Sequence, residues 1–257
     1  MACLYLAYLR KIINMTYSII VTSYNSSDHI TLNMSKLINL LNKINIKYEI
    51  IIIDDCSKDN SAIKIKKIID SNKKIRIMMI KNLKNTGKSF SLKKGIAKSI
   101  YKKIILIDSD LPYFYKLKNI INSLKKFDLV MIDRRKKNSK NLDHTLTIYQ
   151  FLRIIIGRML NKIIRIFLPI KYLDTQAGLK GFIKPQNFSK LKFISKRFFF
   201  DLELILLFIK KKKSITTISS NFTVSNNSTI NIFSLKKNYE IIKELIDVIK
   251  KNEKINN

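Results

Sequence analysis

The residues most able to do chemistry are Asp108-Ser109-Asp110, which follow the apolar run IILI. Alternate residues leaving a strand can aim two carboxylates at one point, and such hard oxygen ligands suit a divalent cation that bridges a diphosphate. An isolated Asp-X-Asp is commonly a solvated turn, so the weight falls on its setting at the end of a fourth apolar run. Other polar residues close neighbouring runs in the same way: Asn25 after YSIIVTSY, Asp54 and Asp55 after YEIIII, Arg134 and Arg135 after DLVMID. Burying an unpaired carboxylate is costly, so these residues should line a cleft that holds metal, base or sugar.

The elements that must position them alternate from residue 17 to residue 135. Short β-branched runs are separated by amphipathic stretches near 28–43, 60–69, 88–101 and 116–125. Strands interleaved with helices predict an α/β fold with a mostly parallel sheet covered on both faces, its ligands beyond the carboxyl ends of the strands. The first strand-to-helix turn, Tyr24 to Ser27, contains no glycine, which excludes a dinucleotide fingerprint. Further on, 149–172 reads as a helix mixing large apolar residues with Arg153, Arg158, Lys162 and Arg165. Residues 214–233 read as an edge strand and turn, and 235–249 as a terminal amphipathic helix.

Composition narrows the class. The 257 residues include only 5 Gly and 3 Pro and no linker-like stretch, which predicts one domain. Within it, 1–14 is a possible extension, 15–135 carries the strand-end polar residues, 136–233 the basic apolar stretch and the edge strand, and 234–257 a C-terminal helix. The net charge of +32 suits anionic lipid, nucleic acid or a phosphorylated substrate. Lys, Ile and Asn are abundant together, so compositional drift in an AT-rich genome is an equal reading of that charge. Cys3 and Cys56 have no framework spacing, and His29 and His144 sit in no ligand-like pattern. No run of 18 apolar residues occurs, so no transmembrane helix is predicted. RNA-binding aromatic motifs and zinc-finger spacings are absent, and no nucleic-acid partner is expected.

Taken together, SIIVTSYN, IIIDDCSKDNS, NTGKSFSLKKGI and IDSD resemble family 2 glycosyltransferases of the GT-A fold. The resemblance implies a nucleotide-sugar donor and Mg²⁺ or Mn²⁺ as cofactor, with Asp108 and Asp110 as metal ligands. It also implies donor contacts from Asn25, Asp54, Asp55, Gly87 and Lys88. Ser26 stands where the family commonly has Glu, and Leu111-Pro112 where related synthases continue the acidic motif. The later stretch LPIKYLDTQAGLKGF with RFFFDLELI is similar to dolichyl- and undecaprenyl-phosphate sugar synthases, most of all the dolichyl-phosphate β-glucosyltransferases. Asp174, Gln176 and Lys180 then fall at the acceptor end, with Ala177 replacing an expected Cys.

Arg134, Arg135 and Arg153 are candidates for gripping an acceptor phosphate, because guanidinium forks match phosphate oxygens. The 149–172 helix can lie in the headgroup plane, which predicts a peripheral enzyme on the cytoplasmic face of a membrane. A phosphate acceptor is already ionised near neutral pH and needs no strong base, so Asp201 and Glu203 should contact sugar hydroxyls or order cations, with a helix ion pair as the plain alternative. The expectation is an inverting transfer of a hexose, glucose foremost, to a polyprenyl phosphate. Alternatives are GDP-mannose as donor, a glycan as acceptor, or a non-catalytic basic protein bound to nucleic acid or anionic membrane.

Overall fold

The computed structural model describes residues 16–143, 145–223 and 234–253; the predicted 1–14 extension, His144 and the turn at 224–233 lie outside them. Seven strands, β1 (Thr16–Ser23), β2 (Lys47–Asp54), β3 (Arg76–Lys81), β4 (Lys103–Asp108), β5 (Leu129–Asp133), β6 (Leu179–Ile183) and β7 (Ile215–Ser219), form one sheet in the order β3-β2-β1-β4-β6-β5-β7. Only β6 runs antiparallel, between β4 and β5. The mostly parallel sheet was predicted from runs such as Ile50 to Ile53, which are buried on both faces.

Helices α1 (Ile30–Ile44), α2 (Ser61–Ser71) and α4 (Leu117–Ser123) cover one face. Helices α3 (Lys88–Lys98), α6 (Phe200–Lys210) and α7 (Leu235–Glu253) cover the other. In α1 the buried residues Ile30, Met34, Leu37, Ile38 and Leu41 recur at helical spacing, and Asn45 stops the helix in the left-handed region (φ 56°).

Helix α5 (Ile148–Phe167) starts at a capping box in which Thr147 and Gln150 bond reciprocally. It ends earlier than residue 172, because Pro169 forces Leu168 into an extended conformation. Residues 168–172 then return along the core, burying Leu168 and Ile170. The burial of α5 is inverted. Gln150, Asn161 and Ile164 are its buried residues, whereas Ile148 (81 % exposed), Phe151, Met159 (60 %), Ile163 and Ile166 (68 %) face outward. Among the described residues no helix is long and apolar enough to cross a membrane.

Candidate active site

Parallel pairing of β1 with β4 sets Thr22 opposite Asp108. The Thr22 hydroxyl donates to Asp108 Oδ1 (2.9 Å), and the Lys88 ammonium, on the first residue of α3, donates to Oδ2 (2.7 Å). A third element closes on the same carboxylate: a Cβ at Gly178 would lie 2.6 Å from Asp108 Oδ2 and 2.8 Å from Pro112 Cγ. Glycine is what lets the loop before β6 approach so closely.

The turn carrying Asp110 is held through its middle residue. Ser109 N–H donates to Thr22 O (3.1 Å), Asn33 Nδ2 donates to Ser109 O (2.9 Å), and the Ser109 hydroxyl meets Ser26 Oγ at 2.8 Å and His29 Nε2 at 3.4 Å. Ser26 therefore braces the acidic turn. Beyond Asp110 the chain bends sharply, with Leu111 (φ 52°) and Tyr113 (φ 58°) both left-handed.

Charges converge on Lys88. Burial works against its protonation, but Asp108, Asp201 and Asp110 outweigh that and raise its pKa. Both carboxylates of the acidic motif act electrostatically on this one ammonium, Asp108 by direct contact. Asp110 is pushed above the usual carboxylate range by loss of solvent and by the Asp108 charge, with Lys88 opposing. Lys180, expected at the acceptor phosphate, is instead buried on β6: its ammonium donates to Ala177 O (2.5 Å) and lies 3.3 Å from Asp201 Oδ1. Burial lowers the Lys180 pKa against the pull of Asp201. The result is an alternating series of charges, Lys180, Asp201, Lys88 and Asp108, running from buried β6 to the end of β4.

At the ends of β1 and β2, Asn25 (φ 48°) donates its N–H to Ser57 Oγ and accepts from Lys58 N–H, each at 2.9 Å. Asp54 accepts from Ser57 N–H (3.3 Å) through Oδ1, while its Oδ2 and the Ser23 hydroxyl are buried with no protein partner. Asp55 has a different role. It accepts from Asn82 Nδ2, Thr86 N–H, Thr86 Oγ1 and Gly87 N–H at 2.8–2.9 Å. Burial opposes ionisation of Asp55, yet these donors hold its pKa below the usual value. The carboxylate thereby fixes the loop that delivers Gly87 (φ 90°) and Lys88.

Toward β5 and β6, Arg134 grips Asp174 with both arms, Nε to Oδ2 at 2.5 Å and Nη2 to Oδ1 at 2.9 Å. Burial works against the Asp174 charge, but Arg134 outweighs it and brings the pKa to about 2. Arg135 donates to Leu173 O (2.8 Å) and to Gly157 O of α5 (2.9 Å), which fastens that helix beside the cleft. Arg153 lies over the Tyr149 ring, 5.9 Å from its centroid. Gln176 N–H donates to Asp174 Oδ1 (3.1 Å); its Nε2 and the Thr175 hydroxyl are buried without a protein partner. Buried polar atoms of this kind call for a ligand or water.

The family-level sequence pattern described as glycosyl transferase family 2 matches residues 18–185. That span covers the whole cluster except Asp201. The chain belongs to glycosyl transferase family 2.

Solved structures agree on the fold of this glycosyltransferase. Glucosyl-3-phosphoglycerate synthase from Mycobacterium tuberculosis, crystallised with Mn²⁺, uridine diphosphate and phosphoglyceric acid, is similar over 91 % of this chain and 78 % of its own, at 17 % identity and TM-score 0.63. Mannosyl-3-phosphoglycerate synthase from Rubrobacter xylanophilus is similar over 97 % and 78 %, at 13 % identity and TM-score 0.63. S. aureus TarS, crystallised with UDP-GlcNAc, is similar over 90 % and 65 %, at 17 % identity and TM-score 0.52. A search of curated proteins finds no match.

Sequence reasoning gave no part to Thr22, Ser109 or His29, all of which bear on the acidic turn of this glycosyltransferase. Thr22 was legible in principle, since it lies one residue before the end of β1 and residues paired across parallel strands point the same way as their partners, here Asp108. Glu203 turns away from the cleft, accepting from Ile194 N–H, Ser195 N–H and Lys251, and so realises the helix ion-pair alternative.

Proposed function

We propose that this glycosyltransferase moves a hexose, glucose foremost, from a nucleotide diphosphate sugar to a polyprenyl phosphate, with inversion, at the cytoplasmic surface of a membrane. The observation that carries the acceptor reading is the outward apolar strip of α5, joined to the cleft by the bond from Arg135 to Gly157. Arg158, Lys162 and Arg165 are exposed along the same helix and complement lipid phosphates. Inserting each half-exposed aliphatic side chain contributes roughly 1 kcal/mol, and each cation near an anionic surface about 1 kcal/mol more.

The donor reading draws on the uridine nucleotides of the solved relatives and on the fit of the acidic pair to a divalent cation. Asp108 contacts the Lys88 ammonium, Asp110 acts on the same ammonium through its charge, and loss of solvent with the neighbouring Asp108 charge raises the Asp110 pKa. Asp108 and Asp110 would hold Mg²⁺ or Mn²⁺ together with phosphate oxygens of the donor, since among the described residues no third acidic, imidazole or thiol group joins them. The bound ion would supply neutralisation of the departing diphosphate.

The chain's own residues do the rest. Lys88 offers a second positive charge to the diphosphate, Asp201 and Lys180 fix its place, and the Asp55-bound loop keeps the α3 start rigid. An acceptor phosphate oxygen attacks the anomeric carbon as the bond to the nucleoside diphosphate breaks and its electron pair leaves on the phosphate oxygen. No general base is required, and an α-linked donor gives a β-linked product.

A second reading keeps the donor chemistry with a soluble phosphorylated acceptor, favoured by the two phosphoglycerate-acting relatives. Transfer assays with UDP-glucose and GDP-mannose in turn, with Mn²⁺ or Mg²⁺ and either polyprenyl phosphate or 3-phosphoglycerate, separate the two. The expected product is glucosyl polyprenyl phosphate. Transfer to 3-phosphoglycerate alone overturns the lipid acceptor, and no turnover of either donor overturns the donor reading.

A further inference from the structure

Helix α7 lies beyond residue 185, where the family match ends, yet one of its carboxylates reaches the segment that caps two helices of the site. Glu244 accepts from the backbone N–H groups of Arg197 (3.2 Å), Phe198 (3.0 Å) and Phe199 (3.2 Å), and from the Ser195 hydroxyl. Phe199 is the cap residue of α6, so a carboxylate from another helix satisfies free N–H groups at an end that favours negative charge.

The same segment also caps α3. Ser89 N–H donates to Arg197 O (3.3 Å) and Phe90 N–H to Lys196 O (3.2 Å), while a Cβ on Gly87 would lie 3.0 Å from Arg197 Cα. Ser195 Oγ meets Ser89 Oγ at 2.8 Å, and Ser89 Oγ accepts from Phe200 N–H (3.3 Å). Each capped helix carries a charge of the cleft in its first turn: Lys88 on α3 and Asp201 on α6. Those two charges act on each other. A shift of segment 195–199 would therefore move both ends of the pair.

We propose that Glu244 is a positioning residue of the transfer reaction: from the C-terminal helix it holds segment 195–199, and through it sets Lys88 against Asp201 and Asp108. The inference rests on the transferase reading above. In it α7 is part of the active-site framework, and removing one contact well outside the cleft changes turnover.

The test combines kinetics with amide hydrogen exchange on the full-length protein. Glu244→Ala is expected to lower kcat about 10–100-fold with little change in donor KM, since a displacement near 1 Å costs on that order. Combined with Lys88→Ala it is expected to add almost nothing to the loss from Lys88→Ala alone, because the two act as a unit. Equal, additive losses, or a change confined to thermal stability, overturn the proposal. Exchange should quicken at amides 88–91 and 197–201 together while the central strands keep their protection; unchanged exchange at both overturns it whether or not any donor is turned over. Failure of every donor in the parent enzyme counts against the transferase reading and leaves the exchange result to judge the clamp. Should Glu244→Ala unfold, Ser195→Ala replaces it, with loss of protection at the same two segments as the supporting outcome and intact protection as the contrary one.

Discussion

At the ends of β2 and β4 two carboxylates are tied down: Asp55 takes four hydrogen bonds from one loop and Asp108 is held by Thr22 and Lys88. On the other side of the cleft, α5 commits few side chains to the core and turns its largest apolar residues outward. The first region is built to keep charge in place before any ligand arrives, as transition-state stabilisation requires. The second, on the proposed reading, meets a lipid surface. The contrast teaches that, on the proposed reading, the two regions answer to different physics, charge geometry in one and surface burial in the other, and they should fail independently.

Asp110→Asn is the sharpest way to break the first region alone. Transfer should fall about 10²–10³-fold, the loss typical of removing one preorganised electrostatic partner. Circular dichroism and vesicle binding should match the parent; unchanged turnover would remove Asp110 from the site.

The junction between the regions is the buried Arg134–Asp174 pair, and its effect is on stability. With a folded pKa of about 2 against an ordinary 3.8, Asp174 contributes stability fully present above the unfolded value and lost as pH falls through the folded one. The contribution is roughly 2 kcal/mol, disappearing between about pH 4 and pH 2. Urea unfolding of the parent should show that loss, and Asp174→Asn, already weakened at neutral pH, should show less of it.

The second region is probed by Arg158→Glu with Arg165→Glu. Binding to anionic vesicles should weaken by at least about 2 kcal/mol, roughly 30-fold, and the effect should shrink as salt rises. Hydrolysis of the sugar nucleotide in water should not change. Smaller still is Met159→Ser on the outward strip, expected to cost roughly 1 kcal/mol of vesicle affinity with no loss of folding stability. Co-sedimentation equal to the parent in both variants would detach α5 from any membrane role.

The two regions were also unequally legible in the sequence. Runs such as YEIIIIDD and IILIDSD announce both the strand and the polar residues at its end, so β1, β2 and β4 and the side of the sheet that carries Asp54, Asp55, Asp108 and Asp110 followed from local pattern. The function of each residue there did not. Asp55 reads as a ligand contact until the loop at 82–87 folds onto it, and Lys180 in LKGF gives no sign that Asp201 will meet it inside. Both pairings depend on chain packing across more than 20 residues, where spacing carries no information. Helix α5 is visible as a basic, apolar stretch, but its predicted end falls five residues too late, although Pro169 marks it. The clamp of Glu244 on Ser195 joins residues 49 apart and leaves no local trace.

Isothermal titration of UDP into the parent enzyme and into Asp110→Asn, each with and without Mn²⁺, tests most directly whether the acidic pair holds a cation on a nucleotide's phosphates. UDP should bind the parent tightly only when Mn²⁺ is present, and the variant should lose that metal-dependent gain. Equal UDP affinity in all four titrations would contradict the account.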